Sequence, residues 1–360
     1  MSTMSSWSDR RILELFGIDL PIVQAPMAGA TTPEMVIAVS EAGGLGSLPC
    51  ALSTIDQATQ AIATIRAKTS RPINLNFFCH SLPEPDPARM TAWREKLSPF
   101  YLELGLDPQA PFTASNRAPF DEAFCGLVEA QKPEVVSFHF GLPPEPLLAR
   151  VKAAGAKVIA SATTVAEARW LEARGCNAII AMGFEAGGHR GNFLTHDMAS
   201  QVGTMALVPQ VVDAVKVPVI AAGGITDARG IVAAFALGAS AVQLGTAYLF
   251  CPEAQVKPFH REALDHVHDD ETAITNVFTG RPARGIVNRV MREVGPLSAL
   301  APSFPLAGGP LASLVAKAPA DFANMWSGQA ASLGRKMPAG ELTRKLAQEA
   351  LEGFAALARP

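Results

Sequence analysis

A histidine and an arginine stand among four glycines in the stretch Gly183-Phe184-Glu185-Ala186-Gly187-Gly188-His189-Arg190-Gly191. An imidazole near its ordinary pKa of about 6.5 can take or share a substrate proton at neutral pH. Glycines around it let a flat ligand approach the backbone. A lone histidine on a surface loop is the bland alternative, and the four glycines argue against it. A second group of glycines lies in Ala221-Ala222-Gly223-Gly224-Ile225-Thr226-Asp227 and in Gln243-Leu244-Gly245-Thr246. Backbone N–H groups exposed there suit a phosphate, although Gly223-Gly224 alone would also serve as a tight turn. Gln24-Ala25-Pro26-Met27-Ala28-Gly29 puts a Pro-Met corner near a strand end, where Met27 lines a ligand or simply fills core. Asn74 and Asn76 alternate onto one face, His139 offers a second imidazole or a satisfied core histidine, and Trp326-Ser327-Gly328-Gln329 carries further donors.

These residues need a frame that brings them to one place. Short apolar runs rich in Val and Ile recur at 21–25, 44–48, 72–77, 134–140, 156–161, 177–182, 217–222 and 240–244. Helical periodicity fills 33–42, 55–68, 146–154, 165–174, 205–215 and 227–237 between them. Eight βα units predict an α/β fold of the (β/α)8 TIM-barrel type, whose working residues sit just after the strands. The long gap from the third run to the fourth predicts an insertion at 80–132 with helices at 88–104 and 120–131. The expected organisation is a barrel over 1–253, a smaller, mainly helical capping lobe over 254–315, and C-terminal helices over 316–360 that pack back on the barrel. Residues 254–268, 320–333 and 341–357 read as helices, with Trp326 to Gln329 on the second of them, and 299–310 as a Pro/Gly-rich connection.

Composition narrows the function classes. The 360 residues are 49% hydrophobic and 18% charged, which is core-forming and far from disordered. A net charge of -3 gives no electrostatic footprint for nucleic acid or an anionic membrane. No apolar run approaches the roughly 18 residues of a membrane span. The five cysteines form no C-x-x-C pair, so reduced thiols and a soluble cytoplasmic protein are expected. Walker A, H-E-x-x-H and G-x-S-x-G patterns are absent, and 44–49 lacks the third glycine of a dinucleotide fingerprint. His260, His266 and His268 near Asp269 and Asp270 match no standard zinc spacing, so no metal is expected.

Taken in order, QAPMAG at 24–29, NLNFF at 74–78, SFHFG at 137–141, EAGGHRG at 185–191, AAGGI at 221–225 and QLGT at 243–246 resemble the nitronate monooxygenase family, bacterial class I. WSGQ at 326–329 extends the resemblance. It implies noncovalent FMN on the barrel mouth, with phosphate on the glycine loops. The positions implied to touch FMN are Ala25, Pro26, Met27, Asn76, Met182, Gly187, Gly188, Gly223, Gly224, Gln243, Leu244, Gly245, Thr246, Ser327 and Gln329. His189 is implied to be catalytic, with His139 a second candidate. Met182 stands where members of the family commonly have Gln, so one flavin hydrogen bond is missing or replaced. The implied reaction is oxidation of an alkyl nitronate, propionate 3-nitronate being the expected substrate, by O2 to a carbonyl compound and nitrite or nitrate. An FMN-dependent NAD(P)H reductase of the enoyl-acyl carrier protein or quinone reductase type is the alternative, and a non-catalytic phosphate-ligand sensor is a third reading. Whether the protein is a homo-oligomer is left open.

Overall fold

Val- and Ile-rich segments flanked by Gly or Pro form strands because branched side chains fit a pleated surface buried on both faces. In the computed structural model, which describes residues 7–112 and 117–358, these strands are β1 (Ile22–Gln24), β2 (Gly46–Pro49), β3 (Ile73–Phe78), β4 (Val135–His139), β5 (Lys157–Ala162), β6 (Ala178–Met182), β8 (Val219–Ala222) and β9 (Ala241–Leu244). The two-residue β7 (Gly188–His189), β10 (Thr272–Thr275) and β11 (Ala283–Ile286) complete the set. Parallel pairing runs in the order β1-β9-β8-β6-β5-β4-β3-β2, and a parallel bridge from Val23 to Leu45 joins the two ends. The result is the eight-stranded barrel that the βα rhythm predicts. Residues 113–116 of the expected insertion, 1–6 of the expected barrel segment and 359–360 lie outside the described residues.

Alternation along β3 shows how the barrel is packed. Ile73, Leu75 and Phe77 join the large apolar core. Asn74 and Asn76 share the opposite face and bond to neighbouring strands: Asn74 Nδ2 donates to Ser47 Oγ at 3.0 Å and Ser137 Oγ at 2.9 Å. Asn76 Nδ2 donates to the same Ser137 Oγ at 2.9 Å. These bonds tie β2, β3 and β4 together across the barrel interior, while the buried Asn74 Oδ1 has no partner among the described residues.

The helices begin on side-chain caps. Thr32, Thr54, Asp86, Asp121, Thr164 and Asp227 each accept a backbone N–H from the first turn, contributing about 1 kcal/mol apiece. The last helix, Ala339–Leu357, packs against Pro33–Glu41 and Ala228–Ala236 on the outside of the barrel.

The second lobe differs from a purely helical cap. β10 and β11 pair antiparallel, and β11 then pairs with β7 in the register Ala283 to His189 and Arg284 to Gly188. The helix after residue 253 begins only at Pro258 and runs to His266. The segment 320–333 is not a helix: a short helix Pro319–Phe322 ends before Trp326, which bridges Gly285. The backbone there is satisfied across the chain instead, with Ser327 N–H donating to Arg284 O and Gln329 N–H to Glu185 O. The lobe has its own apolar core, in which Trp93, Leu97 and Phe100 of the inserted helix Pro87–Glu103 meet Val277, Phe278, Val290, Leu314 and Phe322. Trp93 Nε1 donates to Ala307 O at 3.0 Å, so the insertion and the lobe share one core.

Candidate active site

The carboxyl ends of the strands and the lobe enclose a cavity of about 550 Å³, within the range of small-molecule sites. Its wall includes Ala25, Pro26, Met27, Asn76, His139, Met182, Gly187, Gly188, His189, Gly223, Gly224, Gln243, Gly245 and Thr246. Most of the residues singled out by sequence therefore share one space. Leu244, Ser327 and Gln329 do not line it. Strand alternation turns Leu244 into the apolar core while Gln243 faces the cavity. Ser327 is buried, with its hydroxyl donating to Gly328 O, and it is Gly328 that reaches the wall. Gln329 is placed by its backbone bond to Glu185.

One side of the cavity is built from backbone. Gly223 and Gly224 take φ of +112° and +69°, which L side chains rarely adopt, so the chain turns sharply and leaves the wall free of side chains. Glu185 braces this turn from behind, accepting from Thr204 N–H and Thr204 Oγ1 at 2.8 Å. Gly187 packs so closely on the 327–328 segment that a Cβ there would lie 2.5 Å from Gly328 N. Gln243 Oε1 is buried and has no partner among the described residues, although it lines the cavity. Such an atom calls for a donor from a ligand.

The other side is built from rings. Pairing of β7 with β11 holds His189 in place, so the residue belongs to a short strand rather than to a free loop. Phe78, Phe140, Phe304 and Trp326 surround its ring with centroid separations of 6.2, 6.0, 5.3 and 5.4 Å. His189 Nε2 lies 2.9 Å from Thr279 Oγ1. Burial in this cage, then the positive charges of Arg117 and Arg281, push its pKa well below the usual value. The sequence expectation of an imidazole titrating near 6.5 is thus overturned, because desolvation disfavours the imidazolium. His139 is also neutral, pushed down to about 3, first by burial. Both its ring nitrogens are engaged, Nδ1 with Ser161 Oγ and Nε2 with His189 O, each at 3.1 Å. A carbonyl only accepts, so His139 carries its proton on Nε2 and acts as a strut for β7.

Arg190 supports the same corner from inside. Fully buried, it donates to Met182 O at 2.9 Å and Gly183 O at 2.5 Å, fixing the end of β6. The thioether of Met182 lines the cavity without a hydrogen-bond donor.

Sequence reasoning missed Arg117, Thr279, Phe304 and Phe78. Arg117 lies in the insertion and lines the cavity, and burial lowers its pKa. Thr279 and Phe304 come from the lobe, where no local motif marks them. Phe78 was visible inside the NLNFF run, but nothing in that run shows it packing edge-on against a histidine 111 positions later. Among the described lining residues Arg117 and Lys257 are charged, and no carboxylate is present. No cluster of three or more His, Cys, Asp or Glu fit for a metal occurs among the described residues, and no helix there is long and apolar enough to cross a membrane.

Known proteins match this whole arrangement. The family described as nitronate monooxygenase matches residues 9–349. The nitronate monooxygenase of Pseudomonas aeruginosa is 42% identical over 351 residues, covering 94% of this chain and 98% of its own. A crystal structure of nitroalkane oxidase from Streptomyces ansochromogenes superposes with a TM-score of 0.86 at 37% identity, covering 97% of this chain and all of that one. The structure of FabK from Thermotoga maritima superposes less closely, with a TM-score of 0.74 at 29% identity over 96% of this chain and 97% of its own. Because the match runs from the first helix into the last and takes in barrel, lobe and cavity together, this chain belongs to the nitronate monooxygenase family.

Proposed function

We propose that the protein oxidises anionic alkyl nitronates with O2, to a carbonyl compound and nitrite or nitrate, in the cavity at the barrel mouth. The observation that carries this reading is the charge of the wall: a half-buried Arg117 and a neutral His189, with no carboxylate among the described lining residues. Such a site attracts an anion and cannot easily create a second cation. Propionate 3-nitronate fits as a small, doubly anionic substrate.

The residues present also fit FMN. Gly223, Gly224, Gly245 and Thr246 would hold its phosphate, and Ala25, Pro26, Met27, Asn76, Met182, Gly187, Gly188 and Gln243 would border its ring. The unpartnered Gln243 Oε1 and the side-chain-free turn at Gly223-Gly224 support that fit. When bound, the flavin would supply the redox chemistry that no side chain here can. The protein's part is to bind and orient. Arg117 holds the anionic substrate, His189 hydrogen-bonds it on the reacting side, and the Phe78, Phe140, Phe304 and Trp326 rings keep water away.

The test is oxygen uptake by the purified flavin-loaded protein given propionate 3-nitronate with no nicotinamide present. Uptake with release of nitrite or nitrate is expected. No uptake, together with rapid anaerobic bleaching of the flavin by NADH or NADPH, would instead favour a reductase.

A further inference from the structure

A neutral imidazole carries one proton, and the nitrogen that holds it decides whether the other can only accept. His189 Nε2 faces Thr279 Oγ1 at 2.9 Å, whereas Nδ1 meets no protein partner among the described residues and its ring lines the cavity. An anionic oxygen in the cavity therefore needs the proton on Nδ1. Nε2 is then a buried bare lone pair and requires a donor on its far side.

Thr279 can be that donor. Its hydroxyl accepts from Arg281 N–H at 3.4 Å, and the competing acceptor, Arg281 O, is also 3.4 Å away, beyond the usual O–H···O range of about 2.5–3.0 Å. The hydroxyl proton is thus available to Nε2. We infer that Thr279 is a positioning residue whose hydroxyl donates to His189 Nε2, keeping Nδ1–H aimed at the cavity and making the site a receptor for nitronates in preference to neutral nitroalkanes.

The reverse tautomer has a defined cost. A neutral nitroalkane must lose a proton, so Nδ1 would have to start bare and end protonated, leaving an imidazolium among aromatic rings. The groups that face it are Arg117, Arg281, His139 and His80, of which the two arginines carry charge that opposes a second cation. Thr279 is itself buried and belongs to the wall of a second cavity of about 270 Å³, not to that of the first. It acts on the substrate through His189.

The substrate part of this inference rests on the nitronate reading; the tautomer part needs only an anion in the cavity, whether or not it is a nitronate. The experiment uses the full-length flavin-loaded protein, its Thr279→Val and Thr279→Ser variants, and nitrate as a planar anion that is not turned over. In 15N-histidine spectra with nitrate, the parent and Thr279→Ser should show His189 protonated on Nδ1, and Thr279→Val should shift population to Nε2–H. With propionate 3-nitronate, Thr279→Val should lose about tenfold in kcat/KM while Thr279→Ser stays near the parent. The ratio of kcat/KM for the nitronate to that for 3-nitropropionate, whose nitro-bearing carbon still carries its proton, should narrow in Thr279→Val. A parent spectrum with Nε2 protonated overturns the inference, as does an unchanged ratio in Thr279→Val. A parent that oxidises neither compound overturns the nitronate reading, and the spectra alone then decide the role of Thr279.

Discussion

The two walls of the cavity are held by opposite means. The Gly223-Gly224 turn and the Gly245-Thr246 corner follow directly from β8 and β9, and their backbone conformation does most to shape them, with Thr204 Oγ1 bracing Gly223 O and Gly328 N–H bracing Thr246 Oγ1 from elsewhere in the chain. His189 owes its place to distant parts of the chain: β11 in the lobe, Thr279 in the lobe, Phe78 on β3 and His139 on β4. The glycine wall is local and the histidine wall is assembled. The first should therefore survive damage to the lobe, and the second should fail without taking ligand affinity at the glycine loops with it.

The largest expected effect separates the walls most cleanly. His189→Asn should lower kcat/KM for propionate 3-nitronate about 100- to 1,000-fold, the usual scale for removing one preorganised donor. Bound flavin, read by absorbance after gel filtration, should stay at the parent level. Loss of flavin in that variant would mean that the two walls are not independent.

Arg117→Gln should come next. Removing a charge-assisted bond to an anion should raise KM about tenfold or more with a smaller change in kcat. Flavin content should again be unchanged. An unaltered KM would place the substrate's charge elsewhere.

The mirror-image variant attacks the glycine wall. Gly224→Ala forces a side chain into φ +69°, with its Cβ 3.2 Å from Glu185 Cβ. The conformational penalty of about 1–2 kcal/mol should appear as flavin dissociating about tenfold more readily. The catalytic rate of the flavin-loaded fraction should hold. A slow loaded fraction would show that the glycine turn also positions the histidine.

Acid should produce the mildest change, on the assembled side. His80 and His260 are pushed down to about 4 and His139 to about 3, all first by burial, and His189 moves in the same direction. The unfolded imidazoles, near 6.5, bind protons that the folded ones refuse, so stability rises with pH through this window. It is fully present above about 6.5 and is lost as pH falls toward 4. Thermal unfolding followed from pH 7 to pH 4.5 should show Tm falling by several degrees, and His139→Gln should flatten part of the slope. A flat profile in the parent would show that these rings are hydrated.

Legibility in the sequence follows the same division. The βα rhythm announced eight barrel strands, and the glycine loops could be placed at their ends because turn conformation depends on neighbours in the chain. Gln243 was readable as a wall residue, but the alternation that hides Leu244 in the core should have excluded its neighbour. The WSGQ segment was misread as helix, since its polar and aromatic residues have helical spacing while its backbone partners, Arg284 and Glu185, lie far away in sequence. Arg117 gave no signal at all, being one arginine in an insertion.

The sequence by itself determined the barrel, the glycine wall and the presence of a histidine beside it, because strand periodicity, turn chemistry and motif order are encoded over short distances. Only the tertiary structure decided what that histidine is. Its neutrality, its bond to Thr279 and its opposition to an arginine arise from burial and from charges brought together across the chain. Desolvation and Coulomb interaction depend on distance in space, and no spacing along a sequence records them.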